Sequence, residues 1–293
     1  MKKKKLRFFS MIPLCLVFLL LVALAGCRVQ REPEVETLSP GQEIDLPDTD
    51  PSQAEEPAGP ADSAQDPTAE SGTETTPETE TFDFPYDPDR PCLMLTFDDG
   101  PSSDLTPRLV EELNARGVKA TFFVLGKNAA LNHDVIDLEF SSGHEVCSHG
   151  YDHQNKLTEL STGEINYQLD ETAKVIREIT GSDPTYLRPP YGAIDQATAD
   201  KISVPMMLWT IDPRDWEVRD AEKVRDNILN DAYDGGVVIC HDLYESTVQG
   251  VLDAVDVLLQ DGWQFLTLSQ YYQTIGMEPE PGQVYRGRSL ADI

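Results

Sequence analysis

The stretch TFDDG at residues 96–100 decides both the fold and the candidate site. It follows the apolar run of residues 91–95, which is typical of a buried strand, and it precedes turn residues. Two adjacent carboxylates, Asp98 and Asp99, therefore lie where a strand ends and a loop begins, the edge at which barrels and open α/β sheets build their sites. Taken alone, the stretch is better explained as an Asp-Gly turn with solvated carboxylates, so its partners elsewhere in the chain matter.

Short β-rich runs alternate with helical stretches over residues 91–275, which indicates a parallel sheet flanked by helices. We predict strands at residues 92–97, 121–124, 144–147, 186–188, 204–211, 236–240 and 263–266. We predict helices at residues 106–116, 129–140, 161–180, 195–201, 221–233 and 248–260, and a short helix after the last strand. Ser161 and Glu164 have the spacing of a capping box. The alternation predicts an α/β fold with about seven parallel strands, a small or incomplete barrel rather than two domains.

The first 27 residues resemble a secretory signal. Basic residues at 2–5 and 7 precede an apolar run over residues 8–25. The run ends in the sequence LAGC at residues 24–27, which is similar to the lipobox of bacterial lipoproteins and implies lipid on Cys27. An uncleaved membrane anchor is the alternative, because an apolar run of this length nearly spans a bilayer. Both interpretations place the rest of the chain outside the cytoplasm.

The residues after this signal have the composition of a disordered tether. Residues 28–80 contain no aromatic residue, and residues 28–90 hold ten of the 21 prolines. So polar a segment cannot bury enough apolar surface to offset its ordering entropy. The predicted organisation is a lipoprotein signal at 1–27, an acidic tether rich in Pro, Glu and Thr at 28–85, a globular domain at 86–275 and a loose C-terminal tail at 276–293.

Charge and cysteine content limit the partners and the crosslinks. The net charge of −29 repels phosphate backbones and argues against nucleic acid as a partner. Cys92, Cys147 and Cys240 lie in the globular part, and three cysteines cannot form a closed disulfide framework. We expect them to be small buried apolar residues, with one bridge between two of them as the alternative.

Polar side chains follow strand after strand at the carboxyl end, where a parallel barrel brings them to one face. They are Asp98 and Asp99, His149 and His153, Arg188, Asp212 and Asp215, and His241 and Asp242. The four-residue spacing of His149 and His153 lets both rings face one point if the segment turns helically. With one carboxylate they complete a set that suits catalytic Zn²⁺ or Fe²⁺.

Five motifs, occurring in order over residues 91–273, resemble those of the polysaccharide deacetylase family, carbohydrate esterase family 4. They are TFDDG at 96–100, His149-x-x-x-His153, RPPYG at 188–192, Asp212-x-x-Asp215-Trp216 and Ile239-Cys240-His241. The resemblance implies a distorted (β/α) barrel. It also implies hydrolysis of acetyl groups, mostly N-acetyl groups on amino-sugar polymers.

The resemblance implies a metal site and a base. By position, Asp99, His149 and His153 would hold a divalent metal, usually Zn²⁺. Asp98 would be the general base that takes a proton from water, and Arg188 would orient it. These residue types suit the role of a general base, because a carboxylate beside a cation and an arginine stays ionised and able to accept a proton.

The resemblance also implies an acid, an oxyanion donor and a substrate pocket. His241 would be the general acid, with Asp215 holding its ring, and the backbone N–H of Tyr191 would bind the oxyanion. The residues implied to contact the substrate are Trp216, Ile239 and Pro190.

Several residues depart from the motifs or lie outside them. The family often has Ser or Thr where this chain has Gly150, and Leu where it has Ile239. We expect His144 to be structural and Trp209 to be a core residue rather than a platform for sugar. Asp212 is expected either to bond its own loop or to contact sugar.

These observations predict a membrane-tethered, extracytoplasmic, monomeric and metal-dependent deacetylase of an acetylated cell-envelope glycan, with peptidoglycan favoured. One alternative is an esterase that removes O-acetyl groups from xylan or a similar polymer. Another is a glycan-binding module that has lost catalysis. The presence of both Asp98 and His241 disfavours the module, because a binder needs neither a base nor an acid.

Overall fold

The computed structural model describes residues 82–291. The predicted lipoprotein signal and nearly all of the predicted tether lie outside the described residues. Within residues 82–291, none of the helices combines the length and the apolar character needed to cross a membrane.

The described residues form eight strands and nine α-helices. The strands are β1 (Cys92–Asp98), β2 (Thr121–Val124), β3 (Glu145–Ser148), β4 (Met206–Leu208), β5 (Gly236–His241), β6 (Gln264–Phe265), β7 (Val284–Arg286) and β8 (Ser289–Leu290). The helices are α1 (Leu105–Ala115), α2 (Gly126–Ala129), α3 (His133–Ser141), α4 (Thr162–Thr180), α5 (Gln196–Ala199), α6 (Asp215–Val218), α7 (Ala221–Asp231), α8 (Glu245–Gln260) and α9 (Leu268–Thr274). Single 3-10 turns lie at Leu157–Glu159 and Pro190–Gly192.

Strand β1 is the centre of the sheet. It pairs in parallel with β2, β5 and β6, and β3 pairs in parallel with β2. Single parallel bridges continue the circle, since Leu187 pairs with both Ser148 and Met206, and Ile211 pairs with Val238. Parallel strands thus surround a common interior with helices outside, which confirms the prediction of a distorted (β/α) barrel.

Alternation along β1 separates two layers of side chains. Leu93, Leu95 and Phe97 pack in an outer layer with residues of α1 and α8. Met94 packs in the interior, in a cluster that also contains Phe123. Because successive side chains point to opposite faces of a strand, the last residue of β1 faces the interior at the carboxyl end of the barrel. All three cysteines of the described part are free and buried, as expected.

Some predicted elements are shorter or divided in the structure. The fourth predicted strand contributes only the bridges of Leu187. Pro184 precedes it and Pro189 and Pro190 follow it, and proline has no N–H to donate to a ladder. The helix predicted at 129–140 is divided in the structure. Helix α2 ends at Ala129, and α3 begins after its N-cap residue Asn132. The predicted capping box of Ser161 and Glu164 is present at the start of α4.

The loose tail predicted at residues 276–293 is wrong for its central part. Strand β7 pairs in parallel with β4, and β8 returns antiparallel to β7. Val284 and Tyr285 are buried, and the Tyr285 hydroxyl accepts a hydrogen bond from the Glu280 N–H at 3.0 Å. The segment is short and flanked by glycines, so its strand character comes from its partner β4 rather than from local preference.

Substitution of this segment tests whether it belongs to the folded domain. Tyr285→Ala should lower the free energy of unfolding by about 3 kcal/mol, because it removes a buried aromatic ring from the core. Leu290→Ala is the matched control, since Leu290 is 61% exposed and should change stability by less than about 0.5 kcal/mol. Urea unfolding measures both, and equal stabilities of the two variants would show that residues 284–290 are not part of the core.

Candidate active site

A buried ion pair lies at the carboxyl end of β1. Arg188 is fully buried and Asp98 is 2% exposed. The Arg188 Nη1 atom donates to Asp98 Oδ1 at 2.6 Å and to Thr96 Oγ1 at 2.7 Å, while Nε donates to the Met207 carbonyl at 3.0 Å. The guanidinium also lies 4.0 Å from the centroid of the Phe123 ring. These contacts fix the carboxylate in one orientation.

Asp99, His149 and His153 form a cluster of metal-binding type next to this pair. Their candidate ligand atoms all lie within 4.8 Å of one another. Asp99 Oδ1 is 3.6 Å from His149 Nε2 and 3.8 Å from His153 Nε2. Asp99 has a φ of 71° and His153 a φ of 56°, backbone conformations in which an ordinary side chain is strained. Strain of this kind is concentrated at functional sites.

The cluster fits a divalent cation. Asp99 Oδ1 is buried and has no hydrogen-bond partner. His149 Nδ1 lies 2.7 Å from the Arg188 carbonyl, so this nitrogen carries the proton and leaves the Nε2 lone pair for a metal. Burial lowers the pKa of His149 and thereby favours the neutral ring that binds metal. Tetrahedral ligands at zinc distances would lie about 3.4 Å apart, close to the separations in the structure.

His241 and Asp215 form the second charged pair of the site. His241 Nδ1 lies 3.0 Å from Asp215 Oδ1, and the His241 N–H donates to Oδ2 at 2.8 Å. Asp215 is fully buried and also accepts a bond from Thr247 Oγ1 at 2.8 Å. Burial lowers the pKa of His241, but the hydrogen bond and charge of Asp215 and the charges of the other site aspartates raise it to about 9. The ring is therefore a cation at neutral pH.

The metal cluster, Asp98 and His241 line one open cleft of about 430 Å³. Tyr191, Trp209, Asp212, Trp216, Ile239 and Tyr244 also line it. Trp216 and Tyr191 are about half exposed, while Ile239 is buried to 6% exposure. The cleft thus combines charged groups with exposed aromatic faces.

The turn at Pro190–Gly192 positions Tyr191 beside the metal cluster. Tyr191 has a φ of 62°, its ring centroid lies 4.2 Å from that of His153, and its hydroxyl donates to the His153 carbonyl at 3.1 Å. Pro190 is buried at the start of the turn. A Cβ on Gly192 would lie 2.7 Å from Trp209 Cη2, so this turn and the tryptophan approach each other closely.

The cleft contains aromatic residues outside the motifs, and one of them corrects a prediction. Trp209 was expected in the core only, but it also lines the cleft, as does Tyr244, which the sequence did not single out. Both follow the carboxyl ends of strands, a signal that could have identified them. Asp212 bonds its own loop, where it accepts the Arg214 N–H at 2.8 Å, and it also lines the cleft, where a sugar could contact it.

Asp242 does not share the cleft with its neighbour His241. Side chains alternate along β5, so Asp242 is buried in the helix layer, where Thr106 Oγ1 donates to it. A Cβ on Gly100 would lie 2.6 Å from the Asp242 carboxylate, so only glycine fits there. His144 is structural, as expected: it is buried and its Nδ1 accepts the Ala120 N–H at 3.1 Å.

Comparison with known proteins identifies the family. Residues 86–204 match the family model described as polysaccharide deacetylase. A peptidoglycan-N-acetylglucosamine deacetylase of Bacillus cereus is 32% identical over 200 residues, which cover 66% of this chain and 72% of that protein. This chain belongs to the polysaccharide deacetylase family.

Other members of the family agree in sequence and structure. The peptidoglycan-N-acetylglucosamine deacetylase PgdA of Listeria monocytogenes is 39% identical over 180 residues, which cover 61% of this chain but only 38% of that protein. The structure of the peptidoglycan deacetylase PdaC from Bacillus subtilis is 32% identical, with a TM-score of 0.63, and the match covers 65% of this chain and 94% of that one. The family resemblance and the barrel expected from it are thus confirmed.

The protonation of His241 can be measured directly. In the metal-free protein, the His241 ring should titrate near pH 9 in an NMR titration. In Asp215→Asn it should titrate at least about one pH unit lower, because the charge-assisted hydrogen bond is lost. Identical His241 titrations would contradict the assigned role of Asp215.

Proposed function

We propose that this chain is a metal-dependent hydrolase that removes N-acetyl groups from amino-sugar polymers of the cell envelope, with peptidoglycan as the favoured substrate. The observation that carries the proposal is the convergence of three kinds of group on one cleft. A cluster fit for a cation, an oriented carboxylate and a cationic histidine are the parts that amide hydrolysis requires.

The proposed roles follow from the contacts of each group. A metal, most suitably Zn²⁺, held by Asp99, His149 and His153 would polarise the acetyl carbonyl and lower the pKa of water. Asp98 accepts the proton of the attacking water through the oxygen that Arg188 leaves free. His241 donates a proton to the departing amine, because its raised pKa keeps it charged at neutral pH.

The remaining proposed roles concern substrate. The N–H of Tyr191 donates to the oxyanion, a position that its turn holds in advance. Ile239 is the apolar floor for the acetyl methyl group, Trp216 is a wall beside it, and Pro190 supports the turn. An open cleft with exposed aromatic faces suits a polymer, and the relatives named above are peptidoglycan deacetylases.

Acetate release tests this function. The purified protein should release acetate from peptidoglycan and from N-acetylglucosamine oligomers, and faster than from acetylated xylan. Asp98→Asn should lower kcat by about 10²–10⁴, because the proton acceptor is lost. A preference for xylan would replace the proposal with O-acetyl esterase activity. Equal background rates for wild type and Asp98→Asn would favour a glycan-binding module.

We also propose that lipid on Cys27 anchors the protein as a monomer to the outer face of the cell membrane, with residues 28–85 as a tether toward the wall. In fractionated cells, wild type should sediment with membranes, and Cys27→Ser should no longer be labelled by a fatty-acid analogue. Cys240→Ser is the matched control, since Cys240 is buried in the folded domain. Equal labelling of all three proteins would contradict the lipid anchor.

A further inference from the structure

A shallow groove continues the cleft on the far side of Tyr244. Tyr244 lines both the cleft and this groove, which has a volume of about 650 Å³. The other groove residues are Arg219, Ala221, Leu243, Glu245, Ser246 and Gln249. A polymer bound with one sugar in the cleft can therefore extend its next sugar past Tyr244 into this groove.

Arg219 is fixed on this ring. Its guanidinium carbon lies 3.1 Å from the centroid of the Tyr244 ring, and its Nε donates to the Trp216 carbonyl at 2.6 Å. Arg219 has a φ of 47°, in the region that favours glycine at a helix end, yet the chain has a long charged side chain there. The position thus holds a cation against the Tyr244 ring, bonded to the backbone of Trp216.

The charge of Arg219 is available for a ligand. Within residues 82–291, no carboxylate lies at ion-pair distance from it, whereas the neighbouring Arg214 pairs with Glu217. The acidic residue that lines the groove, Glu245, is itself paired with Arg108 at 2.8 Å. The neighbouring charges thus form the ion pairs Arg214–Glu217 and Arg108–Glu245, and among the described residues Arg219 has no ion-pair partner.

An acidic substrate needs such a cation at this place. The cleft is lined by the carboxylates Asp98, Asp99 and Asp212, in a chain of net charge −29. Arg188 pairs with Asp98, and Asp99 would hold the metal, so the charges that repel a glycan with carboxylates of its own are Asp212 and the net charge of the chain. An arginine can bind a carboxylate through two parallel hydrogen bonds, and it keeps its charge at all relevant pH values.

We propose that Arg219, held against the Tyr244 ring, forms a subsite for the sugar next to the one deacetylated and binds a carboxylate on that sugar. The inference rests on the proposed function and makes it more specific. It selects acidic over neutral amino-sugar polymers. In peptidoglycan this carboxylate is either one of the attached peptide or, on a sugar without its peptide, the free lactyl carboxylate of N-acetylmuramic acid.

Three substrates and three proteins test the subsite. The substrates are an alternating N-acetylglucosamine–N-acetylmuramic acid tetramer, the same tetramer with its lactyl carboxylates converted to neutral amides, and the tetramer carrying its peptides. The proteins are wild type, Arg219→Gln and Arg225→Gln. Arg225 is the matched control, because it is also on the surface but pairs with Asp226 at 2.7 Å.

The preference for the acidic over the amidated tetramer, measured as the ratio of kcat/KM values, should fall about five-fold in Arg219→Gln, the size expected for an ion pair at a surface. It should not fall in Arg225→Gln. If Arg219→Gln loses only its preference for the peptide-bearing over the amidated tetramer, the carboxylate bound by Arg219 belongs to the peptide. The same ratio in all three proteins with every substrate would overturn the subsite.

The proposed function and the subsite fail in different ways. If wild type releases no acetate from any tetramer, the proposed function fails. Dissociation constants from calorimetry, which need no turnover, then decide the subsite by the same ratio. A five-fold loss of selective binding in Arg219→Gln supports it, and unchanged selectivity overturns it.

Discussion

The site depends on one buried residue, Arg188, which links two of its functions. The Arg188 side chain binds Asp98, and its backbone carbonyl receives the Nδ1–H of His149. Further bonds to Thr96 and Met207 hold the guanidinium inside the barrel. The proposed base and a proposed metal ligand are thus oriented by one residue. Loss of either partner of the ion pair would leave an uncompensated charge in the core, at a cost of about 3–5 kcal/mol.

The end of β1 explains how two adjacent carboxylates acquire different environments. Asp98 is the last residue of the strand, so the alternation that buries Phe97 under the helices turns Asp98 into the interior beside Arg188. Asp99 is the first residue beyond the strand, and its φ of 71° directs its carboxylate toward His149 and away from the ion pair. One carboxylate is consequently committed to a cation of the protein, and the other is left for a bound metal.

The sequence predicts those strands, strand-end residues and helix caps that depend on residues close together in the chain. The apolar runs placed β1, β2 and β5 nearly to the residue, and the strand-end rule brought Asp98, His149 and His241 together. Helix α4 has its predicted cap because the capping box is a contact within four residues.

Features that depend on distant partners were not predictable. Strand β7 exists because β4 offers an edge, and nothing within residues 284–286 indicates that pairing. The close packing of Trp209 against the turn at Gly192 joins residues far apart in the chain, although the strand-end position of Trp209 is a signal for its place in the cleft. The left-handed backbone of Arg219 likewise follows from the geometry between α6 and α7, which sequence periodicity does not report.

The most direct test of metal-dependent deacetylation is acetate release from N-acetylglucosamine oligomers by the purified protein before chelation, after chelation and after zinc is restored, with bound metal measured each time. Activity should disappear with the metal and return at about one zinc ion per chain, because the three candidate ligands form one cluster. Full activity in protein stripped of metal would contradict the proposed metal dependence.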